Sequence, residues 1–251
     1  MAGRLDGTVA LVTGASSGIG EATARALAAQ GAAVAVVARR KDRLDRLAQS
    51  VDGRVLAIEA DITDRAQAQA AVERTVAELG RLDTLVNNAG LMLLGNVVDA
   101  SLEEWDRMIA LNVQALITTT HAALPHLLAA AQDSPRRVAD VVNISSTSGR
   151  VTSPMAAVYA LTKHGIGAFS DSLRQEVTKR HVRVGLVEPG ATATELGSHN
   201  RDEILQGLGE RFGDLEILAA EDIGDAVCFI VTRDRRVAVN EILVRPTEQE
   251  E

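Results

Sequence analysis

The sequence predicts an α/β protein built on an open, doubly wound, mostly parallel sheet of seven strands with helices on both faces. Short, uninterrupted apolar runs alternate with longer segments of helical periodicity along the chain. Strands that are buried on both faces of a parallel sheet have this continuous apolar character, and their alternation with helices is typical of βαβ units. No shift in composition suggests a linker, so we predict one domain over residues 1–251.

The predicted elements follow one another in a regular order. The strand-like runs are "TVALVTG", "AVAVVAR", "RVLAIEAD", "LDTLVNNAG", "ADVVNISS", "RVGLVEPG" and "VNEILVRP". The helical segments are "EATARALAAQGAA", "KDRLDRLAQSV", "DRAQAQAAVERTVAELG", the stretch from "SLEEW" to "LLAAA", "PMAAVYALTKHGIGAFSDSLRQEVTK" and "DIGDAVCFIVT". Gly31 and Gly80 end the first and third of them, as glycine commonly does. We predict the fourth as one long helix that bends at Pro125.

The bulk composition excludes several classes of protein. Hydrophobic residues make up 46% and charged residues 24% of the chain, which is typical of a soluble globular domain. The net charge of −8 argues against non-specific nucleic-acid binding. No apolar run reaches the length of about 20 residues that spans a bilayer, and no signal segment is evident. The single cysteine, Cys228, fits a reducing compartment. We predict a cytoplasmic protein without a membrane, nucleic-acid or metal partner.

A glycine-rich turn, "TGASSGIG", joins the first strand to the first helix. Gly14, Gly18 and Gly20 permit a tight turn and close backbone approach to a diphosphate, which the N–H groups of the helix N-terminus would bind. The spacing G-x-x-x-G-x-G is a weak signal alone, because an ordinary strand-to-helix turn also uses glycine. The strand before it and the helix after it favour dinucleotide binding.

Two arginines follow the second strand, in "VVARRKD". Sites for NAD place an acidic residue near here to bind the ribose 2′-hydroxyl, whereas this chain has Ala38, Arg39 and Arg40. A guanidinium group can bind a phosphate through two parallel hydrogen bonds. We therefore predict NADP(H), with Arg39 as the main ligand of the 2′-phosphate. The alternative is a pair of solvated arginines, which a helix N-terminus disfavours.

The only tyrosine of the chain, Tyr159, precedes Lys163 by four residues, which places both side chains on one helix face. A free tyrosine has a pKa of about 10, and a nearby ammonium group lowers it, so that the phenol can transfer protons near neutral pH. Ser146, after the strand "VVNIS", can donate a hydrogen bond to a substrate oxygen. A chance pair of residues is the alternative, but the glycine turn and Ser146 disfavour it.

Taken together, these residues resemble the short-chain dehydrogenase/reductase family over roughly the whole chain. The motifs that carry the resemblance are "TGASSGIG", Asp61, "NNAG" (Asn87 to Gly90), Asn112, Ser146, "YALTK" and "PGATAT". The resemblance implies a Rossmann fold, a nicotinamide cofactor and a catalytic set of Asn112, Ser146, Tyr159 and Lys163. It also implies a homotetramer, or at least a homodimer.

The resemblance further implies a role for each of these residues. Tyr159 is expected to act as the general acid in reduction and Ser146 to polarise the carbonyl. Lys163 is expected to hold the nicotinamide ribose and to lower the pKa of Tyr159, and Asn112 to hold a water that relays protons to Lys163. The expected cofactor-binding residues are Gly14, Ser16, Ser17, Gly18, Ile19, Gly20, Arg39, Arg40, Asp61, Ile62, Asn88, Ala89, Gly90, Asn112, Tyr159, Lys163, Pro189, Gly190, Thr192 and Thr194.

Two segments narrow the resemblance to an NADP-dependent subgroup. The "ARR" after the second strand and the ending "VNEILVRPTEQ", where most relatives have "DGG", are similar to that subgroup. Its members include clavulanate-pathway aldehyde reductases (clavaldehyde dehydrogenase), serine and 3-hydroxy-acid dehydrogenases and a mammalian ketosteroid reductase. The segments "GEATARALAAQGAAVAVVARR" and "LMLLG" look most similar to the clavulanate-pathway type.

Three loops at the strand ends are expected to form an apolar substrate pocket. Besides Ser146, the candidate lining residues are Met92, Leu93, Leu94, Val151, Met155 and Leu196, for which core packing is the alternative. The segment at about 191–213 is long and contains glycine, so we expect a mobile lid. The predicted activity is NADP(H)-dependent reduction of a small aldehyde or ketone. The alternatives are an alcohol or hydroxy-acid dehydrogenase running in the oxidative direction, and a non-catalytic NADP-binding sensor, which the intact catalytic residues disfavour.

Overall fold

The computed structural model describes residues 4–213 and 215–250, and these form one α/β unit around a seven-stranded sheet. The strands are β1 (Val9–Thr13), β2 (Ala33–Ala38), β3 (Val55–Glu59), β4 (Thr84–Asn87), β5 (Ala139–Ile144), β6 (Val182–Pro189) and β7 (Glu241–Val244). They are arranged in the order β3-β2-β1-β4-β5-β6-β7. All pairings between these strands are parallel. The predicted α/β sheet is confirmed, and it is wholly parallel.

The helices connect consecutive strands and cover both faces of the sheet. They are α1 (Gly18–Ala29), α2 (Lys41–Ser50), α3 (Arg65–Leu79), α4 (Leu102–Ile109), α5 (Leu116–Asp133), α6 (Ala157–Val177), α7 (Asp202–Phe212) and α8 (Ala220–Val231). Short 3₁₀ turns cover Thr147–Gly149, Thr178–Arg180 and Glu195–Gly197. None of the helices in the described ranges is both long and apolar enough to cross a bilayer.

Two hydrophobic cores, one on each face of the sheet, account for the continuous apolar runs of the strands. In β1, Leu11 belongs to one core and its neighbour Val12 to the other, and both are fully buried. The first core packs against α3, α5 and α6, and the second against α1, α2 and α8. Successive side chains of a strand point to opposite faces, so both must be apolar when both faces are covered.

Two helical segments differ from the expectation. The predicted long helix from Ser101 is divided into α4 and α5 by a π-helical turn at Ala110–Ala115, and Pro125 lies inside α5. The segment predicted as a loop at about 191–213 contains α7. Helical periodicity continues through a single π turn, so the sequence pattern does not reveal the interruption.

The order of the strands positions the functional site. From β1 the chain moves outward to β3 on one side, and then from β4 to β7 on the other. The direction reverses between β1 and β4, which leaves a crevice at the carboxyl ends of these strands where ligands bind in folds of this kind.

Candidate active site

A cleft of about 930 Å³ opens at the carboxyl ends of the strands. It is lined by the glycine turn after β1, the arginines after β2, and the segments that follow β3, β4, β5 and β6. Small-molecule sites in proteins have volumes of roughly 300–1,000 Å³. The cleft lies at the upper end of that range, as an extended ligand such as a dinucleotide requires.

The glycine turn brings three backbone segments into close contact. Gly14 has a φ of +66°, and a Cβ atom at this position would lie 2.7 Å from the Cα atom of Ala89. A Cβ atom at Gly20 would lie 2.5 Å from the carbonyl oxygen of Gly14. Gly14 and Gly18 line the cleft, whereas Gly20 lies behind it and allows the turn to close. Helix α1 begins at Gly18, so its free N–H groups are at the cleft and fit a diphosphate.

Hydrogen bonds between the ends of β1 and β4 fix the floor of the cleft. The Asn88 side chain donates to the carbonyl oxygen of Thr13 at 2.9 Å. The Thr13 hydroxyl accepts from the backbone N–H groups of Asn88 and Ala89 at 3.0 and 3.2 Å. These bonds place Asn88, Ala89 and Gly90 along the cleft, where the resemblance puts the cofactor.

Asp61 and Ile62 also line the cleft, just after β3. The Asp61 carboxylate accepts from the backbone N–H and the hydroxyl of Thr63 at 3.0 and 2.7 Å. Its backbone N–H donates to the side-chain oxygen of Gln67 at 3.0 Å. These bonds fix the turn after β3 at the edge of the cleft, where the family resemblance implies a contact with adenine.

Arg40 is the more firmly positioned of the two predicted arginines. Its Nη2 atom donates to the hydroxyls of Ser16 and Ser17 at 2.9 and 2.8 Å, and its Nε atom to Ser16 at 3.1 Å. Arg39 lines the same part of the cleft with an exposed side chain. Ser16 and Ser17 therefore act through Arg40 as well as through their place in the glycine turn.

Two further charged residues complete this end of the cleft, and sequence reasoning missed both. Glu195 accepts from Nη1 of Arg40 and from Nη1 of Arg43, each at 2.7 Å. Hydrogen bonds from Arg43 and then Arg40 lower the pKa of the Glu195 carboxyl to about 2. Arg43 lies one turn after Arg40 on α2, so helical spacing could have revealed it, whereas Glu195 is 152 residues away from Arg43.

The catalytic candidates meet at the centre of the cleft. Tyr159 and Lys163 come from α6 and are 3% and 4% exposed, while Ser146 follows β5. The Ser146 hydroxyl lies close enough to the Tyr159 phenol to lower its pKa. The Nζ atom of Lys163 donates to the carbonyl oxygen of Ile144 at 3.0 Å and lies 5.7 Å from the centroid of the tyrosine ring. Ser146, Tyr159 and Lys163 thus form one group of neighbouring side chains, as their spacing in the sequence predicts.

Burial determines the protonation of this group. It raises the pKa of Tyr159 to about 12, against a smaller lowering by the hydrogen bond from Ser146. It also lowers the pKa of Lys163 to about 8. Desolvation of the phenol is the larger influence on the pKa of Tyr159 in this structure, and the expected lowering by Lys163 stays a prediction.

Tyr159 packs in a small apolar cluster with Leu91, Leu93 and Met108, and Trp105 lies against that cluster. The cluster lies beside the main cores and surrounds the ring, while the hydroxyl group faces Ser146. This packing fixes the ring, so the position of the phenolic oxygen is set before any ligand arrives.

Asn112 lies in the π-helical turn, behind the cleft lining. Its side-chain oxygen accepts from the backbone N–H of Leu91 at 2.8 Å. Its amide donates to the Leu91 carbonyl at 2.9 Å and to the Thr162 hydroxyl at 3.1 Å. The Asn112 side chain therefore fixes the segment after β4 against α6, and the expected water relay stays a prediction.

The later part of the cofactor set follows β6. Pro189 is the last residue of β6, and Pro189, Gly190, Thr192 and Thr194 line the cleft together with Ile19. A Cβ atom at Gly18 would lie 3.1 Å from the side chain of Thr194, so the glycine turn and this segment are in contact.

The predicted substrate residues divide into two groups. Ser146 and Leu196 line the cleft, and so does Met92. Four other candidates, Leu93, Leu94, Val151 and Met155, are not part of that lining. Leu93 is 4% exposed and belongs to the cluster around Tyr159, which is the packing alternative. The geometry supports Ser146 and Leu196 as substrate-side residues and gives no support to those four.

Asn200 joins two of the loops that form the pocket, and nothing in the sequence pattern singles it out. Its side chain accepts from the backbone N–H of Leu94 at 2.6 Å and donates to the carbonyl oxygens of Met92 and Gly197 at 2.8 and 2.9 Å. It is 9% exposed. The segment after β6 is thereby attached to the segment after β4.

The family model described as short chain dehydrogenase matches residues 8–205, and the chain belongs to that family. It is 37% identical to the glycine betaine reductase ATRR of Emericella nidulans over 98% of this chain, which spans only 19% of that protein. An uncharacterized oxidoreductase of Staphylococcus epidermidis is 34% identical over 95% of this chain and 96% of its own length. A closed form of serine dehydrogenase complexed with NADP+ superimposes with a TM-score of 0.89 at 30% identity, over 97% of each chain. The predicted family, its Rossmann fold and its oxidoreductase class are confirmed.

Proposed function

We propose that this protein is an NADP(H)-dependent oxidoreductase that transfers a hydride between the nicotinamide and a small aldehyde or ketone, with Tyr159 as the general acid and base. The observation that carries this proposal is the buried Tyr159, which lies close to Ser146 and Lys163 in a cleft of dinucleotide size. The likeness to a serine dehydrogenase complexed with NADP+ supports the choice of cofactor.

The residues of the cleft fit the cofactor in three places. The Gly14–Gly20 turn offers N–H groups to a diphosphate, Asp61 and Ile62 flank an adenine, and Arg39 and Arg40 bind a 2′-phosphate. When bound in its reduced form, the cofactor supplies the hydride. The segments Asn88 to Gly90 and Pro189 to Thr194 line the remainder of the cleft, where we place the nicotinamide half.

The proton chemistry belongs to Tyr159 and Ser146. With a pKa raised to about 12, Tyr159 is protonated at neutral pH and can deliver its proton to a carbonyl oxygen as negative charge develops there. When a substrate is bound, the single hydroxyl proton of Ser146 turns from Tyr159 to the same oxygen and forms a second hydrogen bond to it. Lys163 has three N–H protons as an ammonium group, and one of them is committed to Ile144. The others can hold a ribose hydroxyl of the cofactor.

The protonated Tyr159 is suited to act as the acid in reduction of a carbonyl. The likeness to a serine dehydrogenase favours a second candidate, a hydroxy-acid or alcohol dehydrogenase in which Tyr159 accepts the proton. The first candidate, carbonyl reduction, corresponds to the clavulanate-type aldehyde reductases, which belong to the same proposed subgroup. Both directions use the same residues, because a general acid for one direction is the general base for the other.

The experiment follows absorbance at the NADPH band while the protein meets a panel of aldehydes, ketones, alcohols and hydroxy acids. Turnover of at least one member, lost in Tyr159→Phe, is the expected result. Bound cofactor without any turnover across the panel would refute the enzyme and favour the non-catalytic sensor. Comparable turnover by the variant would refute the role of Tyr159.

We also propose a cytoplasmic homotetramer, or at least a homodimer, as the resemblance implies. Leu161 on α6 and Ile117 on α5 are 64% and 42% exposed, and such apolar side chains on neighbouring helices suit a helix-to-helix interface. Light scattering on the purified protein measures the mass directly. A monomer at micromolar concentration would refute this proposal.

A further inference from the structure

The carboxylate of Glu195 forms a bridge across the cofactor cleft. It lies in the 3₁₀ turn Glu195–Gly197, in the segment that follows β6, whereas its partners Arg40 and Arg43 lie at the start of α2. Each guanidinium donates to a different oxygen of the carboxylate, Arg40 to Oε2 and Arg43 to Oε1, both at 2.7 Å. The segment expected to act as a lid is therefore bound to the opposite wall of the cleft by a single side chain.

The groups around Glu195 are those of a phosphate site. Two guanidinium groups converge on one anion, and the hydroxyls of Ser16 and Ser17 hold Arg40 from behind. Arginine binds phosphate and carboxylate with the same planar arrangement of donors. Glu195 thus pairs, through a carboxylate of this chain, with Arg40, which the proposed function assigns to the 2′-phosphate of the cofactor, and with its neighbour Arg43.

We propose that Glu195 is a specificity-determining latch, which competes with the 2′-phosphate for Arg40 and Arg43 and releases the lid segment only for the phosphorylated cofactor. The inference rests on the proposed NADP(H) site and extends it. An unphosphorylated cofactor offers no anion at this position, so the latch stays closed in its presence. Glu195 is then a positioning residue that acts through the two arginines.

The strengths of the competing contacts allow such an exchange. The side chains of Arg40, Arg43 and Glu195 are 41%, 36% and 47% exposed, and ion pairs at this exposure are weak. A phosphate group carries more negative charge and more acceptor oxygens than a carboxylate. The phosphate therefore forms the stronger contacts with the same two guanidinium groups and displaces the carboxylate of Glu195.

Release of Glu195 leaves the lid attached at its second anchor. Asn200 remains bonded to the backbone of Leu94 and Met92 on the substrate side of the cleft. The turn that carries Glu195 can then move about this anchor without detaching. The state of the lid next to the substrate pocket is thereby coupled to the phosphate at the far end of the cofactor.

The test uses cofactor fragments that cannot react, so that binding is measured apart from turnover. Calorimetric titration compares 2′,5′-ADP with 5′-AMP, which lacks only the 2′-phosphate, on the full chain and on Glu195→Gln. Removing the competing carboxylate charge should tighten 2′,5′-ADP binding by about three- to tenfold and leave 5′-AMP binding unchanged. Glu203→Gln, an exposed residue in the first turn of α7, is the matched control and should change neither.

Four outcomes would overturn the latch. Glu195→Gln could bind 2′,5′-ADP no more tightly than the parent chain, or it could tighten both fragments equally, which indicates a general change of the cleft. Glu195→Ala must repeat the gain for 2′,5′-ADP, and a loss there would mean that the residue merely supports the arginines. A parent chain that binds both fragments equally would refute the NADP preference itself, and the latch with it. A parent that prefers 2′,5′-ADP while Glu195→Gln changes nothing refutes the latch alone.

Discussion

Replacing Lys163 with methionine should stabilise the fold while it removes activity. The ammonium group is 4% exposed, and burial lowers its pKa from an ordinary 10.5 to about 8. A shift of one unit corresponds to about 1.4 kcal/mol, so charging Lys163 destabilises the folded state by roughly 3 kcal/mol at pH 7. Lys163→Met keeps the length of the side chain and removes that cost.

The variant also loses the hydrogen bond from Lys163 to the carbonyl oxygen of Ile144. Leaving a buried acceptor without its partner costs about 1–3 kcal/mol, so the expected net gain in the free energy of unfolding is about 0–2 kcal/mol at pH 7. Turnover should be lost, because the proposed ribose contact is lost with the amino group.

The dependence on pH distinguishes this reasoning from a simple packing effect. The pKa of Lys163 is lower in the folded than in the unfolded chain, so the unfolded chain binds more protons between pH 8 and 10.5. The stability of the parent chain therefore rises with pH across this window relative to the variant. The advantage of Lys163→Met should shrink by about 2 kcal/mol between pH 7 and pH 9.5.

Urea denaturation followed by circular dichroism at the two pH values measures the effect. Lys179→Met is the control, because Lys179 is exposed and should show no change with pH. An advantage of Lys163→Met that is the same at pH 7 and pH 9.5 would refute the assignment of Lys163 as a buried, desolvated cation.

Three further substitutions test the site. Tyr159→Phe should reduce turnover by more than a hundredfold, since it removes the proton donor, and should leave the affinity for NADPH within about threefold. Steady-state rates measure the turnover, and fluorescence titration measures the affinity. An active variant would contradict the assignment. Arg40→Ala should weaken NADPH binding by about ten- to a hundredfold, given about 1.5–3 kcal/mol for a charged hydrogen bond. An equal loss for NADH would count against the phosphate contact. Asn200→Ala should lower the free energy of unfolding by about 1–3 kcal/mol, because it leaves the N–H of Leu94 unpaired. It should also speed tryptic cleavage at Arg201. Unchanged cleavage would show that Asn200 does not hold the lid.

The sequence was sufficient for the sheet because its central strands are covered on both faces. Pairs such as Leu11 and Val12 go to opposite cores, so neighbouring residues are both apolar and the strands are easy to recognise. The glycine turn and the Tyr159–Lys163 pair are also local patterns, and the structure brings both to the same cleft. Local spacing predicts such features well, since one helix turn or one tight turn determines their geometry.

What sequence reasoning missed depends on contacts between distant segments. Glu195 meets Arg43 across 152 residues, and Asn200 meets Leu94 across 106. No periodicity links such pairs. The pKa of Tyr159 illustrates the same limit: the spacing predicts its proximity to Lys163, whereas the burial that raises the pKa is known only from the packed structure.

The cluster around Tyr159 also makes this protein unusually easy to observe by optical spectroscopy. The chain contains one tyrosine and one tryptophan, and Trp105 lies against the cluster that holds the Tyr159 ring. Any ultraviolet signal of phenol ionisation therefore comes from the proposed proton donor alone. Tryptophan emission likewise reports on the apolar cluster around Tyr159. Because the sequence contains so few aromatic residues, the proposed active site of the native chain can be followed spectroscopically without a label.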